Sequence, residues 1–149
     1  MRLDPPLIIS DRKAEDRRQM RPPLLRIRFY LFLFGCLGTR LLFTICSYYA
    51  SGWPLFALGL VACLPVIGWL FTMWVAPRDT GIETLGAPIW WKSLRPFHGL
   101  LWGSFAYAAM MGYPSAWKIL LLDTTLGIGS FLIHHAQEGN LAHMMNGDV

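Results

Sequence analysis

The amino-acid sequence predicts an all-α, polytopic membrane protein: a four-transmembrane-helix bundle with a basic N-terminal arm. Hydrophobic residues make up 54% of the 149-residue chain and charged residues only 15%, whereas soluble domains carry about 25% charged residues. The apolar residues also gather in four runs near 20 residues long. Helices of that length are needed to cross a hydrocarbon core about 30 Å thick.

The N-terminal arm, residues 1–28, contains eight Arg or Lys and four Asp or Glu residues. Pro5-Pro6 and Pro22-Pro23 break any long helix there. We therefore expect the arm to be partly disordered or to lie on the membrane surface. Basic residues next to a membrane span favour anionic lipid headgroups as partners, rather than nucleic acid.

The four predicted spans occupy about residues 29–50, 55–75, 94–113 and 116–133. A middle connection, residues 76–93, separates the second and third spans, and a polar tail, residues 134–149, follows the fourth. The arm holds eight Lys or Arg and the 76–96 region holds three, whereas the two short turns hold none. The positive-inside rule then places both termini in the cytosol.

Two charged residues lie inside apolar spans, Arg40 in the first and Asp123 in the fourth. An ionised side chain near the bilayer centre costs roughly 2.5–3.5 kcal/mol on insertion scales, so such residues usually have a partner. At about 1.5 Å per residue, Arg40 lies roughly 16 Å and Asp123 roughly 20 Å from the cytosolic surface of a 30 Å core. The sequence therefore predicts a buried polar pair that fixes helix register. A proton or ion pathway through Asp123, or contact with lipid, water or a partner subunit, remains open.

Small residues predict close helix packing in the second half of the chain. The third span carries Gly99 and Gly103 at GxxxG spacing, and the fourth carries Gly127 and Ser130 on the face of Asp123. Small side chains at such spacing let helix backbones approach closely. We expect the third and fourth helices to pack as a tight hairpin.

The histidines and cysteines give no complete cofactor site. His98, His134 and His135 are expected at one end of the bundle, where imidazoles could bind zinc, copper or haem. The simpler interpretation is that His134 and His135 cap helix carbonyls at the membrane interface. We predict no cofactor and no stoichiometric metal. Three cysteines lie in apolar runs and are expected to be reduced, buried thiols: Cys36, Cys46 and Cys63.

A stretch rich in aromatic and basic residues precedes the third span: Trp90, Trp91, Lys92 and Arg95. Tryptophan rings prefer the headgroup region, and arginine can hold phosphate. These residues are therefore predicted to contact lipid or a partner protein at the interface.

Part of the chain looks like a known group of proteins. The features are Trp90-Trp91, Leu94-Arg95-Pro96, His98, Ala116-Trp117-Lys118, Asp123 and His134-His135. With them, residues 89–135 resemble small multi-span membrane proteins, of unknown function, from large DNA viruses of algae and protists. The resemblance covers about a third of the chain and implies a virion or host-membrane protein, and it supplies no functional residues.

These observations predict a structural or assembly component of a membrane, such as a virion or organelle membrane complex. Its partners would be anionic headgroups and other membrane or capsid-type proteins, and an oligomer is compatible with the pattern. No GxxxxGK[ST], GxSxG or kinase-like motif points to an enzyme. One alternative is a small transporter or proton-conducting subunit using Asp123. Another is a membrane metalloprotein using His98, His134 and His135.

Overall fold

The computed structural model describes residues 27–80 and 89–139, and these residues form four helices. Helix α1 spans Ile27–Tyr49, α2 spans Trp53–Trp74, α3 spans Arg95–Met110 and α4 spans Trp117–Gln137. A short 3₁₀ helix, Trp90–Leu94, leads directly into α3. The prediction of an all-helical protein is confirmed for the described ranges. Most of the predicted arm, with both proline pairs, lies outside those ranges, as do residues 81–88 and 140–149.

Three helices, α1, α2 and α4, are long and apolar enough to cross a membrane, with 23, 22 and 21 residues. The chain is therefore an integral membrane protein by helix length and composition. Helix α3 has only 16 residues, which corresponds to about 24 Å at the usual rise per residue. That is shorter than a hydrocarbon core about 30 Å thick. The predicted count of four spans is therefore not confirmed.

Glycine and proline set the ends of the helices. Gly52 and Gly112 have positive φ angles, 58° and 75°, a conformation that other L-residues rarely adopt. Gly52 precedes α2, and Gly112 follows the end of α3. Pro54 and Pro96 occupy the first turns of α2 and α3, where the missing N–H has no helical partner to lose.

The helices pack in the order α2, α3, α4, α1, and α1 touches α2 only slightly. The closest approach is between α2 and α3 at Gly59, where an added Cβ would lie 3.0 Å from the Ala106 carbonyl oxygen. Gly103 differs from the expectation of close packing, because an added Cβ there would meet no atom within 4 Å. The apolar core consists of Leu55, Ala62, Trp102, Phe105, Ala106, Ala109, Ala116 and Leu120.

Helix α1 contains an unusual segment, a π-helix over Leu31–Gly38. Such wide turns are rare, and many occur near functional sites. The regular α-helix resumes at Thr39, and the buried residues of that part, Arg40, Thr44 and Ser47, lie on one face. The π segment therefore sets the rotation of the helix that carries Arg40.

Candidate functional site: a buried polar cluster

Asp123 is the centre of a polar cluster inside the bundle, and its side chain has no exposed surface. Arg40 from α1 donates from Nη1 to its Oδ2 at 2.5 Å, and the Trp102 indole from α3 donates to the same oxygen at 2.7 Å. The other oxygen, Oδ1, lies 2.5 Å from Nδ1 of His98, also on α3. One carboxylate thus connects three helices. We call Arg40, His98, Trp102 and Asp123 the buried polar cluster.

Arg40 extends the cluster to the remaining helix. Its guanidinium carbon lies 5.6 Å from the ring centroid of Trp69 on α2, within the range of a cation–π contact. Nη1 also lies 2.8 Å from Nδ1 of His98. Arg40 therefore contacts side chains from α2, α3 and α4. The Asp123 carboxylate, the face of the Trp69 ring and the His98 ring take the place of the water that would surround an exposed arginine.

Gly127 makes room for Leu37 of α1, beside Arg40. An added Cβ at Gly127 would lie 3.1 Å from Leu37 Cδ2 and 3.9 Å from Arg40 Nη1. The glycine stands one turn after Asp123, so α1 and α4 come close where the ion pair forms. Ser130, predicted on the same stripe, is only half-buried further along α4.

Buried hydroxyls continue the polar face beyond the cluster. Thr44 donates to the Arg40 carbonyl and Thr124 to the Leu120 carbonyl, both at 2.8 Å. Ser47 donates to the Thr44 carbonyl at 2.9 Å. A hydroxyl relay needs each group to donate to the next, whereas these hydrogens are directed to backbone carbonyls of the same helix. The Thr44 and Thr124 hydroxyls also lie 3.4 Å apart between α1 and α4. The hydroxyls therefore satisfy local backbone groups and add one long polar contact between the two helices.

Aromatic rings close one end of the bundle. Trp90 stacks on His134 with centroids 4.4 Å apart and planes 8° apart, and Phe29 contacts Phe131 at 4.7 Å. His135 contacts Phe29 and Phe131. The same region includes Phe32 and Trp91. The start of α1, the start of the 3₁₀ helix and the end of α4 therefore meet at one end.

The basic residues of the predicted interfacial stretch have protein partners. Lys92 pairs with Asp79 at the surface, and this hydrogen bond holds the pKa of the Asp79 carboxyl below its usual value. Arg95 is buried and donates to the Arg78 carbonyl at 3.4 Å. Arg95 is therefore largely enclosed by the protein, and its predicted contact with lipid or a partner protein stays a prediction. The proposed lipid contact of Trp90, Trp91 and Lys92 stays a prediction.

The three histidines proposed as metal ligands do not come together. His98 belongs to the buried polar cluster, whereas His134 and His135 pack among aromatic rings. No group of three or more His, Cys, Asp or Glu residues that could hold a metal occurs in residues 27–80 and 89–139. The cysteines are free, and they are less buried than expected: Cys46 is exposed, and Cys36 and Cys63 are intermediate.

An open groove lies on the outside of the bundle, away from the cluster. It has a volume of about 580 Å³ and is mainly apolar. Its lining comes from α3, the following turn and the start of α4: Gly99, Leu100, Gly103, Ser104, Tyr107, Ala108, Tyr113 and Ile119. An added Cβ at Gly103 would point into open space, since no atom lies within 4 Å of it.

The sequence interpretation did not place His98 and Trp102 with Asp123. A signal was present, because His98 and Trp102 are four residues apart and therefore share one face of α3. Indole and imidazole can both donate to a buried carboxylate. The contact of Trp69 with Arg40 had no comparable signal, since α2 is apolar on all sides.

Together, the fold and the cluster define a helical integral membrane protein whose interior is organised around an ion pair. Comparison of the chain with protein-family models, with curated proteins and with solved structures found no match.

Proposed function

We propose that this protein is a structural or assembly component of a membrane complex, held in one conformation by the buried polar cluster. The observation that carries the proposal is the enclosure of Asp123. Its carboxylate has no exposed surface and is engaged by Arg40, His98 and Trp102. A transport site must exchange its ligand with water on each side in turn. A carboxylate that is enclosed by three side chains fixes helices rather than passing ions.

We further propose that the domain crosses the membrane four times, with both termini on the cytosolic side. The 3₁₀ helix and α3 are continuous over residues 90–110, and together they are about 34 Å long at the usual rises per residue. The start of α1 and the end of α4 give independent support. Phe29 at the start of α1 contacts Phe131 and His135 near the end of α4. Three crossings by α1, α2 and α4 alone would place those two ends on opposite sides.

Topology is testable with single cysteines in a variant that lacks the three natural ones. One cysteine is placed at residue 140, after α4, and another at Ser51, in the exposed turn between α1 and α2. We expect a membrane-impermeant reagent outside the cell to label position 51 and not position 140. Labelling of both positions from outside would contradict the four-crossing topology.

The assembly function is supported by the groove beside Gly103. The groove is apolar and contains small residues, and small residues let the backbone of another membrane helix approach closely. The occupant we propose is a transmembrane helix of a second membrane protein in the same complex. Basic residues of the arm would add contact with anionic headgroups. The resemblance to viral membrane proteins suggests a virion or host membrane as the location.

Photo-crosslinking tests this assembly. A photoreactive residue replaces Gly103 in the groove, and a matched control replaces Leu64, which is 67% exposed on α2. We expect position 103 to give a discrete protein adduct in native membranes and position 64 to give mainly lipid adducts. Identical adduct patterns at both positions would contradict a partner helix in the groove.

A second candidate function, proton conduction through Asp123, is favoured by one observation. The short contact between His98 and Asp123 joins two titratable groups near the middle of the bundle. This candidate predicts a proton flux that Asp123→Asn abolishes. The metalloprotein alternative has no such support, because its three histidines lie apart.

A further inference from the structure

Arg95 is a buried charge whose partners are incomplete. It is as enclosed as Arg40, with 5% of its surface exposed against 7%. Arg40 has the Asp123 carboxylate at 2.5 Å, whereas none of the ion pairs within residues 27–80 and 89–139 includes Arg95. Its hydrogen bond to the Arg78 carbonyl is long, at 3.4 Å. A guanidinium has five N–H donors, so this bond satisfies only a small part of the group.

The surroundings of Arg95 are positively charged. Arg78 is bonded to it through its carbonyl, and Lys92 lies three residues earlier, one turn away in the 3₁₀ helix. Asp79 pairs with Lys92. The hydrogen bond from Lys92, and then the charges of Lys92 and Arg95, hold the pKa of Asp79 below its usual value. We call Arg78, Asp79, Lys92 and Arg95 the basic cluster. Its three cations and one carboxylate leave a net charge of +2, which an anion complements.

The basic cluster lies at the level expected for lipid headgroups. Helix α2 ends at Trp74, whose side chain is 83% exposed, and Arg78 follows four residues later. Exposed tryptophans mark the boundary between the hydrocarbon core and the headgroups. The last turns of α2 expose Leu70 and Phe71, which offer an apolar surface to acyl chains. A phosphate at Arg95 and chains along α2 can therefore belong to one molecule, and this favours a lipid over a free phosphate.

We infer that the basic cluster binds the phosphate of an anionic lipid, in addition to the headgroup contact proposed for the arm. A guanidinium can donate two parallel N–H bonds to phosphate oxygens, and Arg95 supplies this fork. Arg78 and Lys92 are exposed at the rim and add donors. The Asp79 carboxylate competes with the phosphate for Lys92 and so lowers the affinity of the site. The bound lipid anchors the junction of α2 and α3 in one leaflet.

Native mass spectrometry of the purified full chain in mild detergent tests the site, with dioleoylphosphatidylglycerol added as the anionic probe. We expect one such lipid to stay bound and the zwitterionic dioleoylphosphatidylcholine to be retained less. Arg95→Gln should weaken retention about tenfold, because it removes a charge-assisted bidentate contact. Lys118→Gln is the matched control, since it removes an exposed positive charge at the start of α4, the other end of the bundle. It should leave retention unchanged.

Asp79→Asn tests the site even if Arg95→Gln fails to fold. The Asp79 side chain is 82% exposed, so this change leaves the packing intact and frees Lys92 for the phosphate. We expect phosphatidylglycerol to bind about two- to fivefold more tightly, the equivalent of one exposed ion pair. Unchanged binding in Asp79→Asn, or equal retention of the two lipids, would overturn the site. Complete displacement of the lipid by inorganic phosphate would overturn the lipid as its ligand. These spectra do not depend on cross-linking in the groove, so the lipid site and the assembly function can fail separately.

Discussion

Replacing Asp123 perturbs the bundle most strongly, because its carboxylate holds groups from two other helices. Asp123→Asn keeps the side-chain size and leaves Arg40, which is 7% exposed, without a counter-ion. Removing one partner of a buried ion pair costs about 3–5 kcal/mol. We expect the upper part of that range, since the bonds from His98 and Trp102 also lose a charged acceptor. Arg40→Leu should cost about 3 kcal/mol, because those two groups still contact the carboxylate.

A double variant measures the interaction free energy of Arg40 with Asp123 apart from their other contacts. Arg40→Leu with Asp123→Asn removes both charges, so it should cost less than the sum of the two single changes. Polar pairs in membrane helices contribute about 0.6 kcal/mol on average and up to about 1.7 kcal/mol. We expect a coupling of at least about 2 kcal/mol, because this pair is ionic and fully buried.

Reversible unfolding in mixed micelles of mild detergent and dodecyl sulfate, followed by tryptophan fluorescence, measures these free energies. Thr125→Val is a matched control on α4, since Thr125 is exposed and bonds only to the Leu121 carbonyl of its own helix. Its effect should stay within about 0.5 kcal/mol. Additive effects of Arg40→Leu and Asp123→Asn would refute the coupling.

Three further predictions concern packing, the indole bond and the surface pair. Gly59→Ala should destabilise the protein by about 1–3 kcal/mol through overpacking. Gly68→Ala on the same helix should not, because its added Cβ would have no atom within 4 Å. Equal effects of the two changes in the unfolding assay would contradict the close approach of α2 and α3. Trp102→Phe should cost about 1–3 kcal/mol, the usual effect of an unsatisfied buried partner, and an unchanged unfolding free energy would be inconsistent with its bond to Asp123. The Asp79 pKa should lie below 3.8 in the folded protein, so its stabilising contribution is present above that pH and lost as the pH falls through the folded value. Carbon NMR of the carboxyl checks this, and Lys92→Gln should return the pKa toward 3.8.

The positions of Arg40 and Asp123 could be predicted from helix depth alone. Both residues lie in apolar runs whose ends can be located within a few residues, and the rise per residue then gives their depths. The structure brings their side chains into contact. The boundaries of α1, α2 and α4 lie within about four residues of the predicted ones, because apolar run length largely determines them.

The structure places His98 deeper in the bundle than the sequence predicts. The sequence interpretation began the third helix at residue 94, near the membrane surface, whereas the structure adds a 3₁₀ helix from Trp90. Trp90 stacks on His134, and His98 lies about 14 Å further along its helix at the usual rises. Asp123 lies about 16 Å from His134 along α4. His98 and Asp123 therefore lie at the same depth in the bundle, although counting residues from the predicted helix ends places them at different depths.

Two other features had no readable signal. The sequence Leu31–Gly38 contains no residue that demands the wide turns of the π-helix in α1. The close approach at Gly59 was equally hidden, because α2 is apolar on all sides and no periodicity marks its inward face. Gly103 belongs to a GxxxG motif, which is a clearer sequence signal for packing, but it lines the open groove. Small-residue spacing thus identified surfaces without identifying their partners.

Proton flux through the reconstituted protein tests most directly whether the buried polar cluster only holds the helices together and conducts no protons. The purified full chain is placed in liposomes with a pH-sensitive dye inside, and a potassium gradient with valinomycin drives proton entry. We predict the same flux in wild-type, Asp123→Asn and protein-free liposomes, with folding of each protein checked by circular dichroism. A wild-type flux above the protein-free level that Asp123→Asn abolishes would contradict the structural assignment and establish the proton-conducting one.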